Sequence, residues 1–349
     1  VYYMKEENRR YAEEAFEIVE HAAKKIGSRL PGSDGEKEYA AYMGDKLRSI
    51  GIEPVREEFA VSPRASIGGI PYAGYLGLIM SALVYVALHL SAVWYGMALA
   101  SVVCWVWLIL SVFLYKTSFD MFFKQEISQN TYGELLPPDG KYDYTIILSG
   151  HTDTSWCWRH SAHASKFKKT KPALGLVATF AKVGFGVICF LFLTAVSIAM
   201  TVISSGVYFG EVWALKIANS ASFANFLFAM HFLPVVTAIG CMFVVMWADP
   251  NPRNASRGAM DNATGCALSF AVTKYFHDHP EKMPKNCRII DFNCGSEEAG
   301  LRGSIAFTRE HKGEPILENT WNINIDSVAD KDFFEVVIKD DWQFCRFDT

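Results

Sequence analysis

The run TIILSGHTDT places His151 and Asp153 at the end of a strand-like apolar stretch. An imidazole followed two residues later by a carboxylate puts both side chains on one side of an extended segment. There the acid can hold the ring of a metal-ligating histidine. Three other short motifs carry the rest of the same chemistry. GAMDNATG sets Asp261 in a Gly-bounded loop ahead of a helix, a place suited to a bridging carboxylate. GSEEAGLRGS supplies Glu297 and Glu298, adjacent acids that point different ways, so one can bind a metal while the other stays free as a base. NINIDSVAD ends a strand-like run on Asp326. A hydrolytic two-metal site needs imidazole and carboxylate ligands, an open position for water, and a carboxylate spanning ions about 3.5–4 Å apart.

Taken singly, each motif has a plainer account. His-x-Asp arises by chance, an Asp-Asn pair before a helix is a ready N-cap, and two glutamates at a helix start are favoured by the helix dipole. Asp326 alone could be a turn residue. What those accounts leave unexplained is the order of the motifs and their placement. His151, the Glu297/Glu298 pair and Asp326 follow the apolar runs 145–148, 288–292 and 321–325. Strands alternating with helices predict an α/β domain with a largely parallel sheet, and ligand sites in such sheets form at the carboxyl ends of strands.

The elements that must position these residues are spread along the chain. Tyr11, Ala15, Phe16, Ile18, Val19 and Ala22 recur at helical spacing; GSRLPGSDGE, residues 27–36, breaks that helix before a second one over 38–50. GIEPVREEFAV reads as a strand, TYGELLPPDGKYDYTIILSG as two strands about a Pro-Pro-Asp-Gly turn, and FFEVVIKDD as a last strand without a partner.

Between the polar segments lie runs of a different kind. The 349 residues are 51% hydrophobic, and residues 65–115, 183–210 and 217–248 contain no Asp, Glu, Lys or Arg. A helix crosses a bilayer with about 20 apolar residues, so spans are expected near 72–90, 92–115, 183–204 and 226–247. Buried core helices are the alternative, but helices that long and uncharged are unusual in a soluble core. His231, inside the last run, is expected to pack between helices. Arg64, Lys116, Lys124, Arg159 and the cluster Lys166, Lys168, Lys169 and Lys171 flank the spans, whereas the loop between the last two offers only Glu211 and Lys216. By the positive-inside rule the polar domain faces the cytoplasm, making this a multi-pass integral membrane protein. The net charge of −4, with no basic tract interleaved by aromatics, gives no sign of a nucleic-acid partner. The eight cysteines form no CxxC pair and read as reduced or buried thiols.

With these motifs in hand, the chain resembles the co-catalytic zinc metallopeptidases of the bacterial leucyl aminopeptidase, aminopeptidase Y and glutamate carboxypeptidase type. GSRLPGSDGEKEYA, TIILSGHTDT, RGAMDNATGCA, RIIDFNCGSEEAGLRGS and NINIDSVAD occur in the family's order. The resemblance implies a zinc-peptidase-like mixed sheet, peptide substrates and two zinc ions. His151 and Asp326 would hold one ion, Glu298 the other, and Asp261 would bridge. Asp153 would orient His151, and Glu297 would pass a proton from the attacking water to the leaving amine. It also implies a fifth ligand, a His downstream of Asp326. The 23 residues after Asp326 contain none, so a chain continuing beyond Thr349 is expected. His311 falls between motifs and is expected at the surface.

The 109 residues between His151 and Asp261 exceed the family's short connection, and the apolar runs account for the excess. The organisation expected is a peptidase domain in three pieces (1–64, 116–171 and 249–349) interrupted by transmembrane hairpins at 65–115 and 172–248. The reading is a membrane-anchored exopeptidase, an aminopeptidase by preference, in contact with the bilayer. The rivals are a catalytically inactive receptor or scaffold on the same fold, which has no use for a free base beside metal ligands, and a transporter, which four nearly charge-free spans serve poorly. His160 and His163 in WRHSAHAS are expected to be exposed loop residues rather than ligands.

Overall fold

A computed structural model describes residues 6–157, 172–248, 256–328, 335–337, 339–340 and 345–346. Arg159, His160, His163 and the lysines at 166, 168, 169 and 171 lie outside the described residues. The chain divides into two compact units, residues 1–67, 114–156 and 251–349 in one, 68–113 and 157–250 in the other.

In the first unit, α1 (Glu6–Glu20) buries Tyr11, Ala15 and Ile18 at helical spacing and leaves Phe16 68% exposed. A wider turn, His21–Ile26, carries it to Gly27, whose φ of 85° ends the helix. The next helix, α2 (Asp34–Ser49), starts four residues earlier than its apolar pattern predicts. Ser33 caps it, accepting a hydrogen bond from the Glu36 amide, and Asp34 and Glu36 lie in its positive first turn. Strands β1 (Val55–Val61), β2 (Glu126–Leu135), β3 (Tyr144–His151), β4 (Cys287–Cys294) and β5 (Thr320–Asn324) form one sheet in the order β1-β2-β4-β3-β5.

That sheet is mixed rather than largely parallel. The β3/β4 and β3/β5 pairs are parallel, the β1/β2 and β2/β4 pairs antiparallel. The cause lies in the connections. Parallel neighbours need a crossover, which α9 (Thr264–Asp278) and α10 (Arg302–Glu310) provide before and after β4. No such helix separates β2 from β3; a turn in which Gly140 N–H donates to Pro137 O reverses the chain. On one face Tyr39, Met43, Leu47, Cys266 and Phe270 pack with Ile18; on the other Tyr132, Ile290, Phe292 and Phe307 form a second cluster. Of the run FFEVVIKDD, the described part holds β6 (Lys339–Asp340), which pairs antiparallel with β7 (Cys345–Arg346) and so does have a partner.

His311 is not a free surface residue. Its Nε2 lies 2.7 Å from Glu57 Oε1 on β1 and its Nδ1 2.6 Å from Glu314 Oε2, and its side chain is 12% exposed. Desolvation alone would lower its pKa, but the bonds to Glu314 and Glu57 outweigh it and raise it. A raised folded pKa contributes stability that is complete below the ordinary histidine value and is lost as pH rises through the folded one. The His311→Gln variant is therefore expected to melt a few degrees below the wild type at pH 6, with the gap closing as pH rises. A gap that does not change with pH would rule out the charged pair.

In the second unit, α3 (Ile70–Ala87), α4 (Ala92–Trp107), α5 (Pro172–Tyr208), α6 (Val212–Ala218), α7 (Ala221–Ala229) and α8 (Leu233–Val245) are all uncharged except for single lysines in α5 and α6. Among the described residues, Ile67–Ala87, Ala92–Phe113 and Ala181–Tyr208 are long and apolar enough to cross a membrane. The fourth expected span, 226–247, is not one helix: α7 and α8 meet at a 49° bend. Pro234 in the first turn of α8 explains the break, since it has no N–H to continue the helix from α7. His231 falls in that break and is exposed rather than packed between helices. Close helix approach depends on glycine. A Cβ at Gly74 would lie 2.5 Å from Val245 N, and one at Gly186 2.6 Å from Gly240 O. Ser81 Oγ and Thr237 Oγ1 are 2.9 Å apart within this packing.

Candidate metal centre

The last residue of β3, His151, is 3% exposed and points Nε2 into a group of acids. Asp261 Oδ1 is 3.1 Å from that nitrogen, Asp326 Oδ2 3.8 Å and Glu297 Oε2 3.8 Å. His151, Asp261 and Asp326 each offer a ligand atom, and these atoms all lie within 4.8 Å of one another. Glu298 lies outside that trio. Three separate parts of the chain thus converge: the end of β3, the loop before α9, and the residue two places past β5.

Asp153 is fully buried and accepts three hydrogen bonds. Its Oδ1 takes His151 Nδ1–H at 3.2 Å and the Glu297 amide at 2.9 Å; its Oδ2 takes the Glu298 amide at 2.9 Å. One carboxylate therefore fixes both the imidazole tautomer and the backbone of the two glutamates. Those glutamates do not open a helix. Left-handed Gly300 (φ 95°) and Leu301 (φ 59°) separate them from α10, which begins at Arg302, so they stand on a turn.

The Asp261 loop is held by its own neighbours. Asn262, fully buried, donates from Nδ2 to Ile325 O at 2.9 Å and accepts the Gly265 amide at Oδ1 at 2.9 Å. The neighbour of Asp261 is thereby tied to the neighbour of Asp326. Upstream, Gly258 adopts φ 54°, and a Cβ there would lie 2.2 Å from Thr154 Cγ2. Arg29, Glu36 and Ser296 also bear on the site without belonging to any ligand-like spacing. Arg29 and Glu36 fall inside the GSRLPGSDGEKEYA segment, but nothing in it tells a buried charge from a solvated one; Asn262 belongs to the Asp-Asn pair that reads as a cap of α9.

Crowded acids raise one another's pKa. Burial, reinforced by Asp153, Asp326 and Asp261 and opposed by His151, pushes Glu297 up to about 7. Burial and the charges of Asp153, Glu297 and Asp261 push Glu298 up to about 8, and burial raises Asp326 as well. His151 moves well above its usual value: desolvation opposes the shift, but the bonds to Asp153 and Asp261 dominate. A pocket that strains so many carboxylates toward their neutral forms is short of positive charge. One imidazole nitrogen with carboxylate oxygens is a donor set that suits zinc, and Asp261 and Asp326, 46% and 41% exposed, leave the trio open on one side. The residues present therefore fit a divalent cation.

Fold and site together describe an α/β protein with an acid-rich candidate cation site at its strand ends. Residues 242–342, which include Asp261, Glu297, Glu298 and Asp326, match peptidase family M28. No curated protein matches the chain in sequence. Among solved structures, the chain is similar to a zinc aminopeptidase from Bacillus subtilis, at 13% identity over 91% of this chain and 69% of that one, with a TM-score of 0.42. It is similar also to an aminopeptidase from Aneurinibacillus sp. strain AM-1, at 10% identity over 93% and 72% of the two chains, with a TM-score of 0.43. A Zn-dependent exopeptidase from Parabacteroides distasonis shares 11% identity over 91% of this chain and 61% of its own, with a TM-score of 0.39.

Proposed function

We propose that this chain is a zinc-dependent exopeptidase of the M28 type, an aminopeptidase that removes N-terminal residues from peptides. The observation that carries the reading is the convergence of His151, Asp261 and Asp326 on one point with Glu297 beside them. His151, Asp261 and Asp326 would hold one zinc ion, and Asp261 and Glu298 would hold a second. A bound zinc ion supplies Lewis acidity, which lowers the pKa of water and polarises the scissile carbonyl. The protein does the rest. Asp153 keeps His151 Nδ1 protonated so that Nε2 presents its lone pair. Glu297, outside the trio, accepts the proton of the attacking water and delivers it to the leaving amine. A receptor would have no need of that last residue.

The apolar segments 65–115 and 172–248 anchor the peptidase portion, formed by 1–64, 116–171 and 249–349, in the bilayer. The excess of Lys and Arg in the polar segments puts that portion on the cytoplasmic face. The length and apolar composition of Ile67–Ala87, Ala92–Phe113 and Ala181–Tyr208 support this arrangement.

The function is tested with full-length protein in detergent and a panel of peptides, following release of N-terminal residues. A zinc chelator is expected to abolish release and added zinc to restore it. Hydrolysis that persists through chelation, or none under any metal, would remove the peptidase reading.

A further inference from the structure

We infer that the loop from Gly27 to Glu36 is the positioning element of this centre, in which Arg29 sets the segments carrying His151 and Asp261, and Glu36 sets the turn carrying Glu297 and Glu298. The inference rests on the proposed roles of those four residues. The loop contributes no ligand of its own.

Arg29 is fully buried and faces backbone carbonyls, not a carboxylate. Its Nε donates to Thr152 O at 2.7 Å, between His151 and Asp153; Nη1 donates to Arg257 O and Nη2 to Gly258 O, both at 2.9 Å. The Arg29 amide donates to Thr154 Oγ1 at 3.0 Å, and Thr154 N–H returns a bond to Arg29 O at 2.9 Å. One rigid planar cation thus clamps the end of the His151 segment to the loop that delivers Asp261 three residues later. A lysine, a point charge without the fork, cannot make these bonds together.

Glu36 acts on the opposite side of the site. It is fully buried, and its carboxylate accepts four bonds. Oε1 takes the Ser296 amide at 2.6 Å and Ser296 Oγ at 2.9 Å; Oε2 takes the Gly32 amide at 2.6 Å and Ser128 Oγ at 3.0 Å. Ser296 adopts a left-handed φ of 51°, which a non-glycine residue holds only when its surroundings impose it. The amides of residues 296, 297 and 298 are thus shared between two buried carboxylates, the first on Glu36 and the next two on Asp153. Glu36 and Asp153 fix the turn from its two sides, and with it the direction of the Glu297 and Glu298 side chains. Two of the four partners, the Gly32 and Ser296 amides, can only donate. An amide there would turn its NH2 toward the Gly32 N–H in one orientation and toward the Ser296 N–H in the other. Glu36→Gln keeps the shape and removes the match.

The test compares Glu36→Gln with wild type and with Asp45→Asn, an exposed change on α2, in the zinc-loaded full chain in detergent. Backbone amide exchange over residues 295–301 is read by mass spectrometry alongside kcat and KM. The expected result for Glu36→Gln is exchange at least ~10-fold faster, confined to that turn and to residues 30–36, because a buried amide has lost its acceptor. With it, kcat falls by about 10- to 100-fold while KM stays within about threefold, because a displaced base costs the chemical step and not binding. Unchanged exchange at 295–301, or acceleration spread evenly over the first unit, would overturn the inference. If Glu36→Gln does not fold, Ser296→Ala and Ser128→Ala decide. Ser296→Ala is expected to loosen the turn more than Ser128→Ala, and equal effects would count against Glu36. The exchange readout does not depend on turnover. A wild type that hydrolyses nothing but shows the Glu36-dependent protection would remove the peptidase reading and leave the positioning role standing.

Discussion

Replacing Glu297 by Gln is expected to reduce kcat by about 10²- to 10⁴-fold, the usual worth of a positioned general base. Several features make the change local. The backbone amide of residue 297, which Asp153 holds, is untouched, and the glutamine side chain has nearly the volume of the one it replaces. Glu297 stands outside the trio whose atoms lie within 4.8 Å of one another, so zinc content is expected to match that of wild type. Removing a carboxylate that burial pushes up to about 7 also relieves a crowded site, so stability should hold or rise. The measurement is steady-state kinetics on a peptide panel beside zinc content by atomic spectroscopy. Full activity in the variant would exclude Glu297 as the base. Loss of zinc together with activity would make it a ligand instead.

How much of this was legible in the sequence follows from what each residue type can signal. Strands β3, β4 and β5 were readable because each is an apolar run that stops at polar residues, and the sheet brings two of those stops, His151 and Asp326, together with the Glu297 turn. The direction of β2 was not readable, because its alternation says that a strand is present and not which neighbour it takes; β4 (Cys287–Cys294), far downstream in the chain, enters between β2 and β3. The Asp-Asn pair before α9 turned out to hold both of its possible meanings. Asn262 is the cap, accepting the Gly265 amide, and Asp261 faces His151. Arg29 and Glu36 were hidden for another reason. In a Gly- and Pro-rich polar stretch a charged residue reads as solvated, and only the fold shows that these two are fully buried among carbonyls and amides. The apolar segments were plain in extent but not in shape, since the bend between α7 and α8 depends on how the chain meets Pro234.

The second large effect is expected at Asp153, through metal affinity and not through the chemical step. Asp153→Asn keeps an oxygen either for the His151 ring and the Glu297 amide together or for the Glu298 amide, but its NH2 must face an N–H that the carboxylate formerly accepted. If the NH2 takes the Oδ2 position it opposes the Glu298 amide; in the other orientation it opposes the Glu297 amide and His151 Nδ1–H. Either way a buried donor loses its partner, and the anion that made the imidazole a stronger ligand is gone. Losing such an outer partner of a metal-bound histidine costs about 10- to 100-fold in affinity. Competition with a chelator of known strength is therefore expected to show zinc held that much more weakly in Asp153→Asn than in wild type, with Glu297→Gln unchanged beside it. The two variants separate the roles because both residues contact the same imidazole from different sides, Asp153 at Nδ1 and Glu297 near Nε2. Equal zinc affinity in Asp153→Asn and wild type would mean that His151 is oriented by its strand alone, and the hydrogen bond at Nδ1 would lose its proposed purpose.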